Sequence, residues 1–311
     1  MWELQPIDND TYNCFQYVTA TVANEFRCDY RLMMLELWGF RYDYGKGGKI
    51  GEKLNMCWSG KREFRKTLLR YHGITFGILS QNTEDLMDFV KNNICNYPMA
   101  LLIDSYVCPW LPYYRKQHLP HAIFIIDLKD NELWIHDQYI TKQEKRTVNI
   151  ETIIHQVSEL VYFQKIPQGE ARLVYQLLTD KLKEWETKGF YEFGTFRKDL
   201  VQLSDISIEI TDDPLSSKLV MQMKNLADDH TNLIEAVELL EEIFGLDFSS
   251  IKNNLQRIAL IYMKLRAYII KCTFGKRNCK AQILDDELES ILKMEIEIYN
   301  DLKTFVDCRT K

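Results

Sequence analysis

The chain has 311 residues, 46% hydrophobic and 27% charged, with a formal net charge of -6. That length is enough for two domains with full cores, and the acidic balance disfavours a general nucleic-acid binder, whose phosphate contacts need a basic surface. No apolar run reaches the roughly 18 residues of a membrane-spanning helix, and the start, MWELQPIDND, lacks the basic and apolar stretches of a secretion signal. The short basic patches KRTV and GKRNCK have no interleaved aromatics, so neither reads as a nucleic-acid site. Eight cysteines (Cys14, Cys28, Cys57, Cys95, Cys108, Cys272, Cys279 and Cys308) form no C-x-x-C pair. The expectation is a cytoplasmic protein with reduced thiols, no zinc ribbon and no membrane partner.

In chain order, TYNCFQYVTATVANEF (11–26) places Val18, Val22 and Phe26 at spacings of four, one buried face of a helix. GITFGILS (73–80) reads as an extended stretch or a turn into one, EDLMDFVKNNI (84–94) as a helix, and YPMALLIDSYV (97–107) as a strand running into a loop. HAIFIID (121–127) and ELWIHD (132–137) read as a hairpin around Lys-Asp-Asn. NIETIIHQVSEL (149–160) then reads as a helix and VYFQKIP (161–167) as a last strand. The pattern is α+β with an antiparallel sheet. Beyond it, residues 171–189, 216–245, 251–275 and 279–307 are long, charged and periodic at three and four, as in packed antiparallel helices with Gly-containing turns. The polar stretch SIEITDDPLSSK (207–218) is a place for a hinge. The expected domains are 1–168 and a helical 169–311.

Several residues stand out as chemistry. Cys14 follows Asn13 and a polar run that can cap a helix. A thiol in a first helical turn meets unpaired N–H groups and the positive end of the dipole, which favour thiolate. As a small apolar residue it could equally fill a core position. His121 and Asp137 open and close the hairpin, symmetric about residue 129, so the carboxylate can hold an imidazole N–H. A structural His–Asp pair at a sheet edge satisfies the same pattern. A metal reading on His118, His121 and Asp137 lacks any helical ligand frame. Together, a helix-borne thiol, a strand-borne histidine and a carboxylate on the next strand form the papain-like arrangement, recognised by roles rather than chain order.

These residues resemble the family of butirosin biosynthesis protein H, acyltransferases with a cysteine-protease-like N-terminal domain. The resemblance rests on Asn13-Cys14 before a helix, LLIDSYVCPWLPYY (101–114), HLPHAIFII (118–126) and IHDQY (135–139). It covers residues 10–165 or so, and the helical remainder fits the family's architecture. Relatives often carry a Gly-Tyr-Asp-like turn where this chain has IIDLKDN, and a proline or small residue where it has Gln138. The resemblance implies a papain-like (C39-peptidase-like) domain with an early nucleophile helix, followed by a mainly α-helical domain. Cys14 would be the nucleophile, His121 its base and Asp137 the orienter.

The donor would be an acyl or aminoacyl thioester on the phosphopantetheinyl arm of an acyl or peptidyl carrier protein. The acceptor would be a small-molecule amine or hydroxyl in antibiotic or nonribosomal-peptide assembly, with no cofactor in the protein itself. The Cys14 N–H and the Asn13 side chain are candidate oxyanion donors, Asn13 being a cap on the other reading. Asp104 could bind an amino group or only stabilise its loop. Tyr106, Trp110 and Tyr113, with Tyr114, make that loop aromatic, as an acyl-binding wall or a packing interface. The same triad with water as acceptor gives a thioesterase, amidase or peptidase, and a scaffold built on the helical half is the non-catalytic alternative.

Overall fold

The computed structural model describes residues 7, 9–54, 65–80, 83–140, 146–167, 173–203, 205–211 and 213–309. The fold is α+β, with one antiparallel six-stranded sheet and many helices. Contacts group the chain into two compact units: Met1–Tyr30 with Leu68–Gly169, and Arg31–Thr67 with Glu170–Lys311. The expected cut at 168/169 lies outside the described residues, and a linear division differs from this grouping at residues 31–67, which belong with the helices.

The sheet unit holds strands β1 (Ile74–Ser80), β2 (Met99–Asp104), β3 (Pro120–Lys129), β4 (Glu132–His136), β5 (Arg146–Asn149) and β6 (Val157–Lys165). Their order is β1-β6-β2-β3-β4-β5, antiparallel throughout. The β3–β4 turn is the two residues Asp130 and Asn131, both with positive φ (49° and 66°). That is the mirror-image turn whose twist matches a hairpin, and Asp and Asn tolerate it better than other non-glycine residues. The register then pairs Phe124 with His136 and slips at a bulge between Ile125 and Asp127. His121 therefore pairs with Ile103 of β2, and it is not the direct cross-strand neighbour of Asp137 that symmetry about residue 129 implied.

Helix α1 (Cys14–Glu25) lays Phe15 against Phe76, which meets Phe163 in turn. On the alternate strand positions Leu101, Ile103, Ile123, Ile125 and Ile135 share a buried cluster with Leu86 and Val90 of α2 (Thr83–Asn93). One local reading changes and two become more specific. GITFGILS is strand β1, and Gly77 is required there because a Cβ would fall 2.2 Å from the Tyr162 ring. The expected helix 149–160 is helical only at Ile150–Ile153 and in a 3-10 turn, and Val157 already begins β6. The basic KRTV patch contributes Arg146, Thr147 and Val148 to β5.

The helical unit contains α3 (Leu173–Glu184), α4 (Phe190–Val201), α5 (Lys218–Phe244), α6 (Ser249–Phe274) and α7 (Ala281–Arg309). A π turn, Trp185–Gly189, runs α3 into α4 without a break. Gly245 closes α5 in the left-handed conformation. At the next turn Gly275 stays right-handed, and Lys276 takes the positive φ. Residues 31–67 are tied here by buried polar contacts: Lys181 Nζ lies 2.8 Å from Glu36 Oε2, Thr67 donates to Glu36, and Glu209 accepts from the Ile50 and Gly51 N–H groups. Among the described residues, no helix is long and apolar enough to cross a membrane.

Candidate active site

Cys14 is the first residue of α1, and Asn13 is the cap. Asn13 Oδ1 accepts from the N–H groups of Phe15 and Gln16, both at 3.0 Å, while Gln16 Oε1 accepts from the Asn13 N–H at 2.9 Å. This capping box fixes the first turn of α1 and with it the backbone of Cys14. It also commits the Asn13 side-chain oxygen to the cap. Thr19 and Tyr17 follow on the buried side.

His121 Nε2 donates to Asp137 Oδ2 at 2.6 Å, and both side chains are buried. With Nε2 committed to the carboxylate, the ring's other nitrogen is left for Cys14, whose thiol is close enough to help raise the imidazole pKa. Burial alone would pull the imidazole pKa down. The hydrogen bonds to Asp137 and Cys14, with their charges, outweigh it and raise His121 to about 9. The imidazole is therefore held in its charged form at neutral pH, beside a thiol at a helix start. Asp137 is itself tethered: its Oδ1 accepts from the Tyr139 N–H at 3.0 Å, and its Oδ2 accepts a second bond, from Trp110 Nε1, at 2.8 Å.

The other sequence-predicted residues fall around this group in different ways. Trp110 turns its N–H to the carboxylate, with the Arg146 guanidinium over its ring at 5.6 Å. Asp104 caps a short turn by accepting from the Tyr106 N–H, and its Oδ2 accepts from His118 Nδ1 at 2.5 Å. Slight desolvation is outweighed by the His118 hydrogen bond and the N–H groups of Tyr106 and Leu119, which hold the Asp104 pKa below its ordinary value. Tyr106 stacks on His118, ring centres 4.3 Å apart. His118 thus pairs with Asp104 and not with His121, and no group of three or more His, Cys, Asp or Glu suited to a metal occurs among the described residues.

Two features escaped the sequence reading. Tyr139 sets its ring 5.8 Å from His121, and burial first, then the charges of Tyr113, Cys14 and Asp137, push its phenol to about 12 against a weaker hydrogen bond from Gln138. Tyr139 therefore lies within electrostatic reach of both Tyr113 and the Cys14 thiol. The second is Tyr17, whose hydroxyl lies 2.7 Å from His136 Nδ1 with the rings stacked. It joins α1 to β4 one residue before Asp137. The alternating direction of side chains along a strand explains why adjacent His136 and Asp137 serve different partners. The IHDQY stretch held both signals. Compared with known proteins, the chain matches no family model and no curated protein.

Proposed function

We propose that the chain is a cysteine acyltransferase that moves an acyl or aminoacyl group from a carrier-protein thioester to a small-molecule amine through an acyl-Cys14 intermediate. The observation that carries this reading is the row Cys14–His121–Asp137, with the thiol on the free side of an imidazole held charged by a buried carboxylate. A papain-like assignment for the sheet unit, the resemblance to the butirosin biosynthesis protein H family and a cytoplasmic, carrier-linked setting belong to the same proposal.

In the first step the Cys14 thiolate attacks the thioester carbonyl carbon. The bond to the carrier's sulfur breaks, and the His121 imidazolium gives its proton to that leaving thiolate. Sulfur replaces sulfur, so the step is nearly balanced in energy. The N–H of Cys14, in the first helical turn where backbone donors lack intrahelical partners, would stabilise the oxyanion. In the second step the amine attacks the acyl carbon, its proton passes to neutral His121, and Cys14 leaves as thiolate. The amide is formed, and the imidazolium–thiolate pair is restored. Tyr139, its ring 5.8 Å from His121, would give the pocket an aromatic side that an acceptor could cover against water.

The test is partition of the acyl-enzyme. With a preformed acyl-Cys14 adduct, amines at millimolar concentration should discharge it to amide faster than buffer hydrolyses it. Hydrolysis that outruns every amine would replace the transferase with a thioesterase or amidase using the same residues.

A further inference from the structure

Residues 105–119 form a loop pinched shut at its neck. The Ser105 N–H donates to Leu119 O at 2.8 Å, the Leu119 N–H donates to Ser105 Oγ at 3.1 Å, and that hydroxyl donates to Gln117 O at 3.0 Å. Outside this, the Asp104–His118 ion pair and the Tyr106–His118 stack form a second clasp across the same neck. Within the loop, Cys108 and Leu111 are buried and linked, the Leu111 N–H donating to Cys108 O at 3.0 Å. Trp110 sits between these two anchors, so its backbone is placed by the loop.

We propose that Trp110 is a positioning residue for the Cys14–His121–Asp137 group, delivered to the carboxylate by the clasped loop. Its N–H shares Asp137 Oδ2 with His121, while the Tyr139 N–H holds Oδ1. Donors on both oxygens block rotation of the carboxylate, and the carboxylate in turn fixes the plane of the imidazole. Without the indole N–H, Oδ2 keeps only the bond to the ring it is meant to orient. A loop built for substrate contact alone would have no reason to turn its indole N–H onto the acid. This inference rests on the proposed role of Cys14, and its test separates the two.

The experiment is the rate of Cys14 alkylation by iodoacetamide from pH 5 to 10 in the wild type, Trp110→Phe and Asp104→Asn. Phenylalanine keeps a ring and removes only the donor. At pH 6 Trp110→Phe should react about three- to tenfold more slowly, the scale of one net hydrogen bond. At pH 10, where a thiolate forms without help, it should match the wild type; a purely structural role would not produce that pH-dependent gap. Asp104→Asn, which loosens the neck without touching the acid, should move the profile the same way by less. It carries the test alone if Trp110→Phe does not fold. A reactive wild type with superimposable variant profiles overturns the positioning role only. A wild type without acid-side reactivity removes the Cys14 reading and this proposal with it.

Discussion

Each of the two units holds a buried histidine and a buried carboxylate hydrogen-bonded in one trio with a tryptophan. In the sheet unit they are His121, Asp137 and Trp110. In the helical unit they are His230, Glu295 and Trp38: His230 Nε2 donates to Glu295 Oε1 at 2.7 Å, and Trp38 Nε1 donates to Glu295 Oε2 at 3.1 Å. The difference lies at the far ring nitrogen. His230 Nδ1 donates to the Leu226 carbonyl at 2.6 Å, so both nitrogens face acceptors and the ring is a closed, charged strut. Burial depresses its pKa, and Glu295 with Leu226 more than offsets that, leaving it raised. His121 turns the corresponding nitrogen to a thiol. A histidine, a carboxylate and a tryptophan thus make a fastening in one unit and, under the proposed function, a proton-transfer site in the other. What distinguishes them is the fourth group.

Removing the carboxylates should break the comparison most visibly. Glu295→Ala strands a buried imidazolium and should cost about 3–5 kcal/mol in chemical denaturation. Asp137→Asn should instead slow acyl-Cys14 formation by about 10²- to 10⁴-fold, the range for a mispositioned general base, with a smaller change in melting temperature. Equal stability losses and unchanged chemistry would make the two trios alike.

A smaller effect sharpens the closed side. Asp229, next to His230, is buried, and its Oδ2 has no hydrogen-bond partner. Burial raises its pKa well above 3.8, opposed by His230 and aided by Asp228. The folded chain therefore keeps a proton that the unfolded chain releases once pH exceeds that ordinary value, and stability declines as pH rises from there. Asp229→Asn should stabilise the fold at pH 7 by on the order of 1 kcal/mol per unit of pKa shift removed, read as a higher melting temperature. The gain should vanish near pH 4. A gain that is constant across pH would assign it to packing.

How much of this was legible in sequence follows from what each signal depends on. The hairpin was readable because alternation and an Asp-Asn turn are local, and Cys14 was readable at a helix start because Asn13 and the polar run before it can cap a helix; the Gln16 half of the capping box was not read. The partnership of His121 with Asp137 could be read, but its register could not, since the bulge at Ile125/Asp127 is set by packing. Val157 to Leu160 looked helical because VSEL lacks alternation on its own; pairing with β2 makes it strand. Residues 31–67 join the helices through Glu36, Tyr42 and Gly51, whose partners lie far along the chain at Lys181, Asp199 and Glu209. Trp110 read as one ring among several because nothing nearby in sequence says where an indole N–H will point.

The most direct test is the mass of the intact protein after incubation with an acyl thioester and no acceptor. One acyl group should add, map to Cys14, and be absent in Cys14→Ala. An unmodified wild type, even with the donor presented on a carrier protein, or an adduct on another residue, would contradict the account.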